Sequence, residues 1–412
     1  MAGPKAILLI CDGMPDRPVA EFGGRTPIEA ADNVNMNTLA FDGECGMMDP
    51  IAPGIRAGSD TSHLAILGFD PFTTYTGRGP FEAAGIGMDV KRGDVAFRCN
   101  FSTVDDKLVI LDRRAGRIES GTDQLAAAVN GMQIEDVTVF FKESVAHRGA
   151  LVLRGPGLGA DISDVDPHEV GERIHEAHAV DPDDAAGAKT ARIVNAFVSK
   201  SYELLKDHPV NQAREAEGKP PANIILPRGG GVAPNLPIFE KKYGLKPAAV
   251  VETGLIAGIA CYLGMDIIET PGANGGLDSD IMAMGRAILK ALDDHDFVLC
   301  NIKGGDIAGH DGDAFAKVEF VQKVDKVVGL LLEKADPETY IILTADHATP
   351  VSVKDHSGDS VPIAIRGPGV RVDSVREFNE RSVVGGGLAR IRGIDVMSIL
   401  TNLMNVQEKF GA

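Results

Sequence analysis

Residues 6–13 of the chain read AILLICDG, a continuous apolar run followed at once by an acid and a glycine. Two later segments repeat this design: residues 297–306 read FVLCNIKGGD, and residues 340–347 read YIILTADH. Continuous rather than alternating apolar runs are typical of strands buried on both faces of a parallel sheet. Each run therefore places an acid just past the carboxyl end of a strand, where open α/β sheets carry their active sites.

Amphipathic helices are predicted between these strands, at residues 280–294 and 314–334, because apolar residues recur there every three or four positions. A further strand is expected at 361–365, and a last helix at about 396–404. The C-terminal part is therefore βαβ-like and is expected to pair with the N-terminal strand. This pattern predicts an α/β fold with a mainly parallel sheet sandwiched by helices.

The middle of the chain differs, with short strand-like runs, helical stretches with charged faces, and a concentration of arginines. A loop is expected at residues 211–221, and His175 and His178 are expected to share one face of a solvated helix without binding metal. We read the middle as a smaller α+β domain inserted into the first domain. The expected domains are residues 1–77 with 234–412, which form a discontinuous metal-binding domain, and residues 78–233, which form the inserted substrate-binding domain.

The composition narrows the class of protein. The chain has 412 residues, of which 44% are hydrophobic and 24% charged, in the range of ordinary globular proteins. The net charge of -18 disfavours a nucleic-acid binder, which needs a basic face. The five cysteines form no C-x-x-C pair, which disfavours a disulfide framework or a thiolate zinc site. With no signal peptide and no apolar stretch long enough for a membrane span, a cytoplasmic enzyme with no membrane partner is expected.

Taken singly, the chemistry-bearing residues have structural alternatives. Asp12 and Ser59 could simply cap the helices that follow them. Ser59 nevertheless opens a segment, residues 58–63 with the sequence GSDTSH, that precedes an apolar run. A serine at a helix N-terminus lies where backbone N–H groups and the helix dipole favour an anion. Asp306 and His310 are four residues apart, which places both on one face of a helix.

Taken together, these residues predict a metal centre at one edge of the sheet. Four oxygen ligands and three imidazoles are too many for one ion and about right for two. Histidine with carboxylate suits zinc or manganese, and two ions stabilise both the entering and the leaving oxygen of a displacement at phosphorus. A divalent ion would also activate the serine hydroxyl, which by itself is a weak nucleophile. The expected ligands are Asp12, Ser59, Asp306, His310, Asp346, His347 and His356.

Arginines of the middle segment are the second part of the prediction. They lie in or next to turns that follow short apolar runs, and guanidinium groups match carboxylate and phosphate in a bidentate manner. Any single one could serve solubility alone, but the cluster favours binding of a small phosphorylated substrate. The candidate substrate-binding residues are Arg98, Asn100, Arg113, Arg117, Arg148 and Arg228.

Over nearly the whole chain, these residues resemble the archaeal-type, cofactor-independent phosphoglycerate mutases of the alkaline phosphatase superfamily. The resemblance is carried by short motifs in both predicted domains. They are LLICDG (8–13), AGSDTSHL (57–64), GFDP (68–71), YTGRGPFEA (75–83), ISDVDPH (162–168) and ADH (345–347).

The resemblance implies interconversion of 3-phosphoglycerate and 2-phosphoglycerate in glycolysis and gluconeogenesis, with no bisphosphoglycerate primer and no nucleotide. It also implies two divalent ions, commonly manganese, with zinc, cobalt or magnesium as alternatives. Ser59 would carry the phosphoryl group as phosphoserine, while glycerate turns in a closed cleft, held by arginines of the inserted domain. One ion would be held by Asp12, Ser59, Asp346 and His347, and the other by Asp306, His310 and His356.

One departure and three rival functions remain open. The longer bacterial relatives have an active-site lysine in the segment that resembles residues 251–254, and no lysine stands there in this chain. Lys303 is the candidate replacement. The rivals are a phosphatase, a small-alcohol phosphotransferase similar to homoserine kinases, and a non-catalytic metal- or phosphate-binding module. The metal identity and the oligomeric state also stay open.

Overall fold

The structure is a computed structural model, and it describes residues 3–409 and 411. The chain divides into two compact units. Unit 2 spans Thr76–Asn235, and unit 1 consists of the residues before and after it. Among the helices in the described residues, none combines the length and the apolar character that a membrane span requires.

Strands and helices are numbered in chain order. The strands are β1 (Ala6–Cys11), β2 (Glu44–Asp49), β3 (Val95–Val104), β4 (Ile110–Asp112), β5 (Gln133–Ile134), β6 (Val137–Glu143), β7 (Arg148–Arg154), β8 (Ile224–Val232), β9 (Pro247–Val251), β10 (Asp266–Ile267), β11 (Phe297–Ile302), β12 (Tyr340–Thr344), β13 (Val361–Arg366) and β14 (Ala389–Arg392).

The helices are α1 (Pro27–Ala30), α2 (Val34–Phe41), α3 (Ser59–Ile66), α4 (Pro71–Thr74), α5 (Gly79–Gly85), α6 (Thr122–Val129), α7 (Ala185–Leu205), α8 (Pro209–Ala216), α9 (Phe239–Tyr243), α10 (Gly254–Tyr262), α11 (Ile281–Ala291), α12 (Gly304–Asp311), α13 (Ala314–Lys334) and α14 (Val396–Leu403).

In the described part of unit 1, eight strands form one sheet in the order β10-β9-β11-β1-β12-β13-β2-β14. The central strand β1 is buried along its whole length and pairs in parallel with β11 and β12. Only β13 runs against its described neighbours, β12 and β2. The predicted α/β fold with a mainly parallel sheet is therefore confirmed, and the three apolar runs are adjacent strands.

Helices α11 and α13 cover this sheet with the apolar faces that the sequence predicts. Asp280 and Asp313 accept hydrogen bonds from the backbone N–H groups of Ala283 and Ala316, so each caps the start of its helix. Helix α13 has the predicted bounds. Helix α11 ends at Ala291 rather than at the predicted residue 294, because the last residues turn directly into β11.

Unit 2 has its own antiparallel sheet and its own core. In its described residues, the sheet has six strands. Five of them follow the order β4-β3-β7-β6-β5, and the sixth, β8, pairs with β3. Helices α6 and α7 pack against this sheet, and their buried faces include Leu125 and Phe197. The unit is thus α+β, with β3 held between β7 and β8 at its centre.

Two predictions for unit 2 were wrong. His175 and His178 lie in irregular backbone rather than in a helix. Their backbone groups form hydrogen bonds with a neighbouring segment instead of the hydrogen bonds within one segment that a helix requires. The His175 N–H donates to Val165 O, and the Ser163 N–H donates to His178 O, both at 2.9 Å. The expected loop at 211–221 instead begins within α8.

The start of α8 has a recognisable cap. His208 Nδ1 accepts a hydrogen bond from the Val210 N–H at 3.3 Å, and Pro209 occupies the first helical position. Proline is favoured there because its missing N–H would have no partner inside the helix.

Candidate functional site

The carboxyl ends of β11, β1 and β12 bring the strand-end acids of unit 1 together. Asp12 follows β1, Asp306 lies in the first turn of α12 after β11, and Asp346 with His347 follows β12. All four residues are at most 4% exposed. Because the three strands are parallel neighbours, their carboxyl ends meet at one edge of the sheet.

A glycine makes this close approach possible. Gly13 has a φ of 61°, in the left-handed region that favours glycine. A Cβ at this position would lie 2.6 Å from Asp306 Cα and 2.6 Å from Thr349 Oγ1. The D-G pair after β1 thus turns the chain tightly enough for Asp12 and Asp306 to be neighbours.

Ser59 is the first residue of α3 and is 7% exposed. The residue before it, Gly58, is the N-cap, so Ser59 itself does not serve as the cap that was its structural alternative. Its Oγ lies 3.2 Å from His347 Nε2. The hydroxyl therefore stands at the positive end of a helix and next to the cluster of acids.

Two histidines converge on Asp306. The Nε2 atoms of His310 and His356 lie 3.3 Å and 3.4 Å from Asp306 Oδ1. The Nδ1 atoms face backbone carbonyls instead, Lys354 O at 2.9 Å and Ala57 O at 2.8 Å. Because a carbonyl only accepts, Nδ1 carries the proton in each neutral ring, which leaves the Nε2 lone pair for a metal ion. Metal-binding histidines have this arrangement.

A second group of ligand atoms surrounds His347. Its Nε2 lies 3.3 Å from Asp346 Oδ2 and 3.5 Å from Asp12 Oδ1. Asp346 Oδ2 is buried and has no hydrogen-bond partner among the described residues. A buried carboxylate oxygen without a donor is costly unless a cation binds it. The ligand atoms of Asp12, Asp306 and His347 lie within 4.8 Å of one another, as do those of the histidine pair with Asp306.

The negative charge buried in the cluster also favours the binding of cations. Burial, and next the charge of Asp346, raises the pKa of Asp12 to about 8. Burial lowers the pKa of His347 to about 3, so its ring is neutral and can act as a ligand. One ammonium offsets part of the negative charge: Lys303 Nζ lies 3.1 Å from Asp12 Oδ1 and 2.5 Å from Asp306 Oδ2.

The donor set therefore fits divalent metal ions. Carboxylate oxygens and neutral imidazole nitrogens are the ligands that manganese and zinc accept, and the free oxygen of Asp346 supplies a position for one of them. The structure brings all seven predicted ligands of unit 1 into one cluster. Sequence reasoning did not single out Asn301, whose Nδ2 lies 3.3 Å from Asp12 Oδ2. No sequence pattern marks an asparagine inside a buried strand as a partner.

In unit 2, part of the predicted arginine set lies on one face of the sheet. Arg98 of β3 is directly opposite Arg228 of β8, and Asn100 of β3 is directly opposite Arg148 of β7. Residues opposite each other in antiparallel strands share a face, as do residues two apart in one strand. Like charges in opposite positions are unfavourable, so this arrangement indicates a site for an anion.

Unused donors support this interpretation. Arg98 Nε and Arg228 Nε are buried and have no hydrogen-bond partner among the described residues. Burial is the main cause that lowers the pKa of Arg98 to about 9, against the opposing effect of Glu82. Glu82 Oε1 lies 2.9 Å from Arg78 Nε and 3.8 Å from Arg98 Nε. Sequence reasoning missed Glu82, although its spacing of four residues from Arg78 is a signal for a helical ion pair.

The other two predicted arginines have different surroundings. Arg113 donates to both carboxylate oxygens of Asp166, from Nη2 at 2.7 Å and from Nε at 3.2 Å. Arg117 is exposed, in the turn before α6, with a φ of 56°. Arg113 nevertheless lies beside Arg228, because Arg113 Nη2 and Arg228 Nη1 are 3.2 Å and 3.0 Å from the same atom, His168 Nδ1.

Comparisons with known proteins agree with this geometry. A family model described as 2,3-bisphosphoglycerate-independent phosphoglycerate mutase matches residues 40–211. The chain is 55% identical to 2,3-bisphosphoglycerate-independent phosphoglycerate mutase 1 of Methanothermobacter thermautotrophicus, over 99% of this chain and 100% of the relative. It is 50% identical to the 2,3-bisphosphoglycerate-independent phosphoglycerate mutase of Methanopyrus kandleri, over 99% and 98%.

Two solved structures are similar along their full length. A protein of Pyrococcus horikoshii has a TM-score of 0.87 at 37% identity and covers 100% of both chains. The cofactor-independent phosphoglycerate mutase of Thermoplasma acidophilum has a TM-score of 0.71 at 37% identity, over 97% of this chain and 100% of its own. With half or more of its residues identical to the two curated relatives, the chain belongs to the family of 2,3-bisphosphoglycerate-independent phosphoglycerate mutases.

Proposed function

We propose that this chain interconverts 3-phosphoglycerate and 2-phosphoglycerate, with Ser59 carrying the phosphoryl group between the two hydroxyls of glycerate. The observation that carries the proposal is the position of Ser59 Oγ, buried at the N-terminus of α3 and 3.2 Å from His347 Nε2. The family to which the chain belongs indicates the substrate. The position of Ser59 indicates the nucleophile.

Divalent ions complete the site, and we assign two of them, with manganese as the first candidate. When bound, they neutralise charge on the phosphoryl oxygens and favour ionisation of the serine hydroxyl. The three-ligand groups around Asp306 and around His347 support a count of two. One ion is assigned to Asp12, Ser59, Asp346 and His347, and the other to Asp306, His310 and His356.

The chain's own residues account for the transfer. Ser59 Oγ forms a bond to phosphorus as the bond from phosphorus to the glycerate oxygen breaks, and the serine proton ends on that glycerate hydroxyl. In the second step the other glycerate hydroxyl attacks the phosphoserine, and Ser59 regains a proton. No water is consumed. The N-terminus of α3 and the ammonium of Lys303 stabilise the charge that develops on the phosphoryl oxygens.

The arginines of unit 2 are assigned to the anionic groups of the substrate. Arg98, Asn100, Arg148 and Arg228 are the first candidates, because they share a face and include buried donors without partners. Bidentate guanidinium groups suit the carboxylate of glycerate. Arg113 and Arg117 are assigned a smaller part: Asp166 already neutralises the first, and the second is exposed.

The product of the reaction tests this proposal. Enzyme stripped of metal and reloaded with manganese is given 3-phosphoglycerate, and 2-phosphoglycerate and free phosphate are both measured. We expect the isomer without release of phosphate. Phosphate without isomer would identify a phosphatase, and transfer to an added alcohol such as homoserine would identify a phosphotransferase.

A matched pair of variants tests the role of Ser59. Ser59→Ala should abolish turnover, while Ser62→Ala should retain it. Ser62 is a buried serine of the same helix whose hydroxyl donates to Gly58 O at 2.8 Å. Full turnover in Ser59→Ala would exclude the phosphoserine.

A further inference from the structure

One buried hydroxyl lies between the two groups of metal ligands. Thr349, two residues after His347, is fully buried, and its Oγ1 lies 2.8 Å from Asp306 Oδ1 and 3.2 Å from His347 Nδ1. A hydroxyl has one proton to donate, and an ionised carboxylate can only accept. The Thr349 hydroxyl therefore donates its hydrogen bond to Asp306 Oδ1, and Thr349 Oγ1 accepts a hydrogen bond from the Nδ1–H of His347.

This hydrogen-bond direction fixes the tautomer of His347. With the proton on Nδ1, the Nε2 lone pair is free. That atom faces Asp346 Oδ2 at 3.3 Å, Asp12 Oδ1 at 3.5 Å and Ser59 Oγ at 3.2 Å. Thr349 thus does for His347 what backbone carbonyls do for the other two histidines. Unlike a carbonyl, it also orients Asp306, which belongs to both ligand groups.

The surroundings hold this hydroxyl in place. A Cβ at Gly13 would lie 2.6 Å from Thr349 Oγ1, and a Cβ at Gly309 would lie 2.7 Å from Thr349 Cγ2. The backbone is fixed as well, because Lys317 Nζ donates to Thr349 O at 2.8 Å. The side chain fills its space and has little freedom to turn away from either partner.

We propose that Thr349 is a positioning residue that sets the tautomer of His347 and the orientation of Asp306, and so couples the two metal-ligand groups. The proposal rests on the metal sites assigned above but not on the identity of the substrate. Partners of this kind contribute about 10–100-fold to metal affinity.

The test is manganese affinity, measured by calorimetry on chelator-stripped protein without substrate. Thr349→Val keeps the shape but removes the hydroxyl, and we expect it to weaken manganese binding about 10–100-fold. Thr349→Ser keeps the hydroxyl and should bind like the parent. Thr401→Val is the matched control, since Thr401 is another buried threonine of unit 1, with its hydroxyl on Met397 O. Unchanged affinity in Thr349→Val, or an equal loss in Thr401→Val, would overturn the proposal.

A second measurement needs no variant and remains decisive if Thr349→Val does not fold. Long-range proton–nitrogen correlation spectra of the metal-free protein report which ring nitrogen of His347 is protonated. We expect the proton on Nδ1, and a proton on Nε2 would refute the hydrogen-bond direction. Both readouts are independent of turnover, so a protein with normal metal binding but no mutase activity would contradict only the proposed function.

Discussion

Lys317→Met is the perturbation whose cost can be worked out most directly from the structure. The side chains of Lys317 and Asp16 are 0% and 1% exposed, and Nζ donates to Asp16 Oδ2 at 2.7 Å. The same ammonium donates to Pro15 O at 3.2 Å and to Thr349 O at 2.8 Å. Methionine fills the space of the lysine stem, so the variant removes the charge with little change in packing.

The expected loss is set by the carboxylate left behind. Breaking a buried ion pair by removing one partner costs about 3–5 kcal/mol. Asp16 keeps backbone donors from Arg17 at 2.8 Å and Val351 at 3.1 Å, which favours the lower end. We therefore expect a loss of about 3 kcal/mol, or roughly 6–12 °C in the unfolding midpoint of a unit of this size.

Differential scanning calorimetry of the metal-free protein measures this loss. Lys326→Met, an exposed position on the same helix, is the control and should change stability by less than about 0.5 kcal/mol. Adding Asp16→Asn to Lys317→Met should restore part of the loss, because no charge is then left buried without a partner. A loss below about 1 kcal/mol in Lys317→Met would refute the reasoning.

Three further predictions concern the glycine turn, an imidazole of unit 2 and the metal. Gly13→Ala should reduce manganese affinity by more than about tenfold, because its Cβ would lie 2.6 Å from Asp306 Cα. Gly23→Ala, at a similar φ of 66° with open space around it, should bind normally in the same calorimetric titration, and equal losses would contradict the steric cause. Burial, followed by the charge of Arg148, lowers the pKa of His147 from 6.5 to about 4. The unfolded chain therefore takes up this proton first, and the free energy of unfolding should fall as pH drops from about 6.5 to about 4. With allowance for solvent screening, the contribution is about 1–2 kcal/mol. The measurement compares the unfolding midpoints at pH 6.5 and pH 4, and this contribution of His147 should be absent in His147→Gln. Chelation should abolish turnover, and manganese at a hundred times its dissociation constant should raise the free energy of unfolding by about 2.7 kcal/mol for each ion bound. Activity that persists after chelation would contradict the metal assignment.

The strand-end acids could be predicted from sequence. A continuous apolar run indicates a buried parallel strand, and the end of the run shows where that strand ends. Asp12 comes directly after one continuous apolar run and Asp346 two residues after another, and neighbouring parallel strands bring their ends together. The pairing of Asp306 with His310 followed from helical spacing. These features depend on local periodicity, which one sequence carries.

The supporting contacts could not be predicted in this way. Thr349 and Lys317 are 32 residues apart and meet only when the segment after β12 packs against the first turns of α13. No spacing rule identifies such a pair, because the orientation of each side chain depends on tertiary packing. The prediction of a helix at His175 was wrong for the same reason. A backbone hydrogen bond to Val165 holds this segment in an irregular conformation, which the local sequence pattern does not indicate.

The phosphoenzyme tests the central claim most directly. The enzyme is mixed with manganese and 3-phosphoglycerate and quenched in acid during turnover, and its peptides are analysed by mass spectrometry. We predict that the peptide containing Ser59 gains one phosphoryl group while 2-phosphoglycerate forms without free phosphate. A phosphoryl group on another residue, or full turnover with no phosphorylated Ser59, would contradict the account.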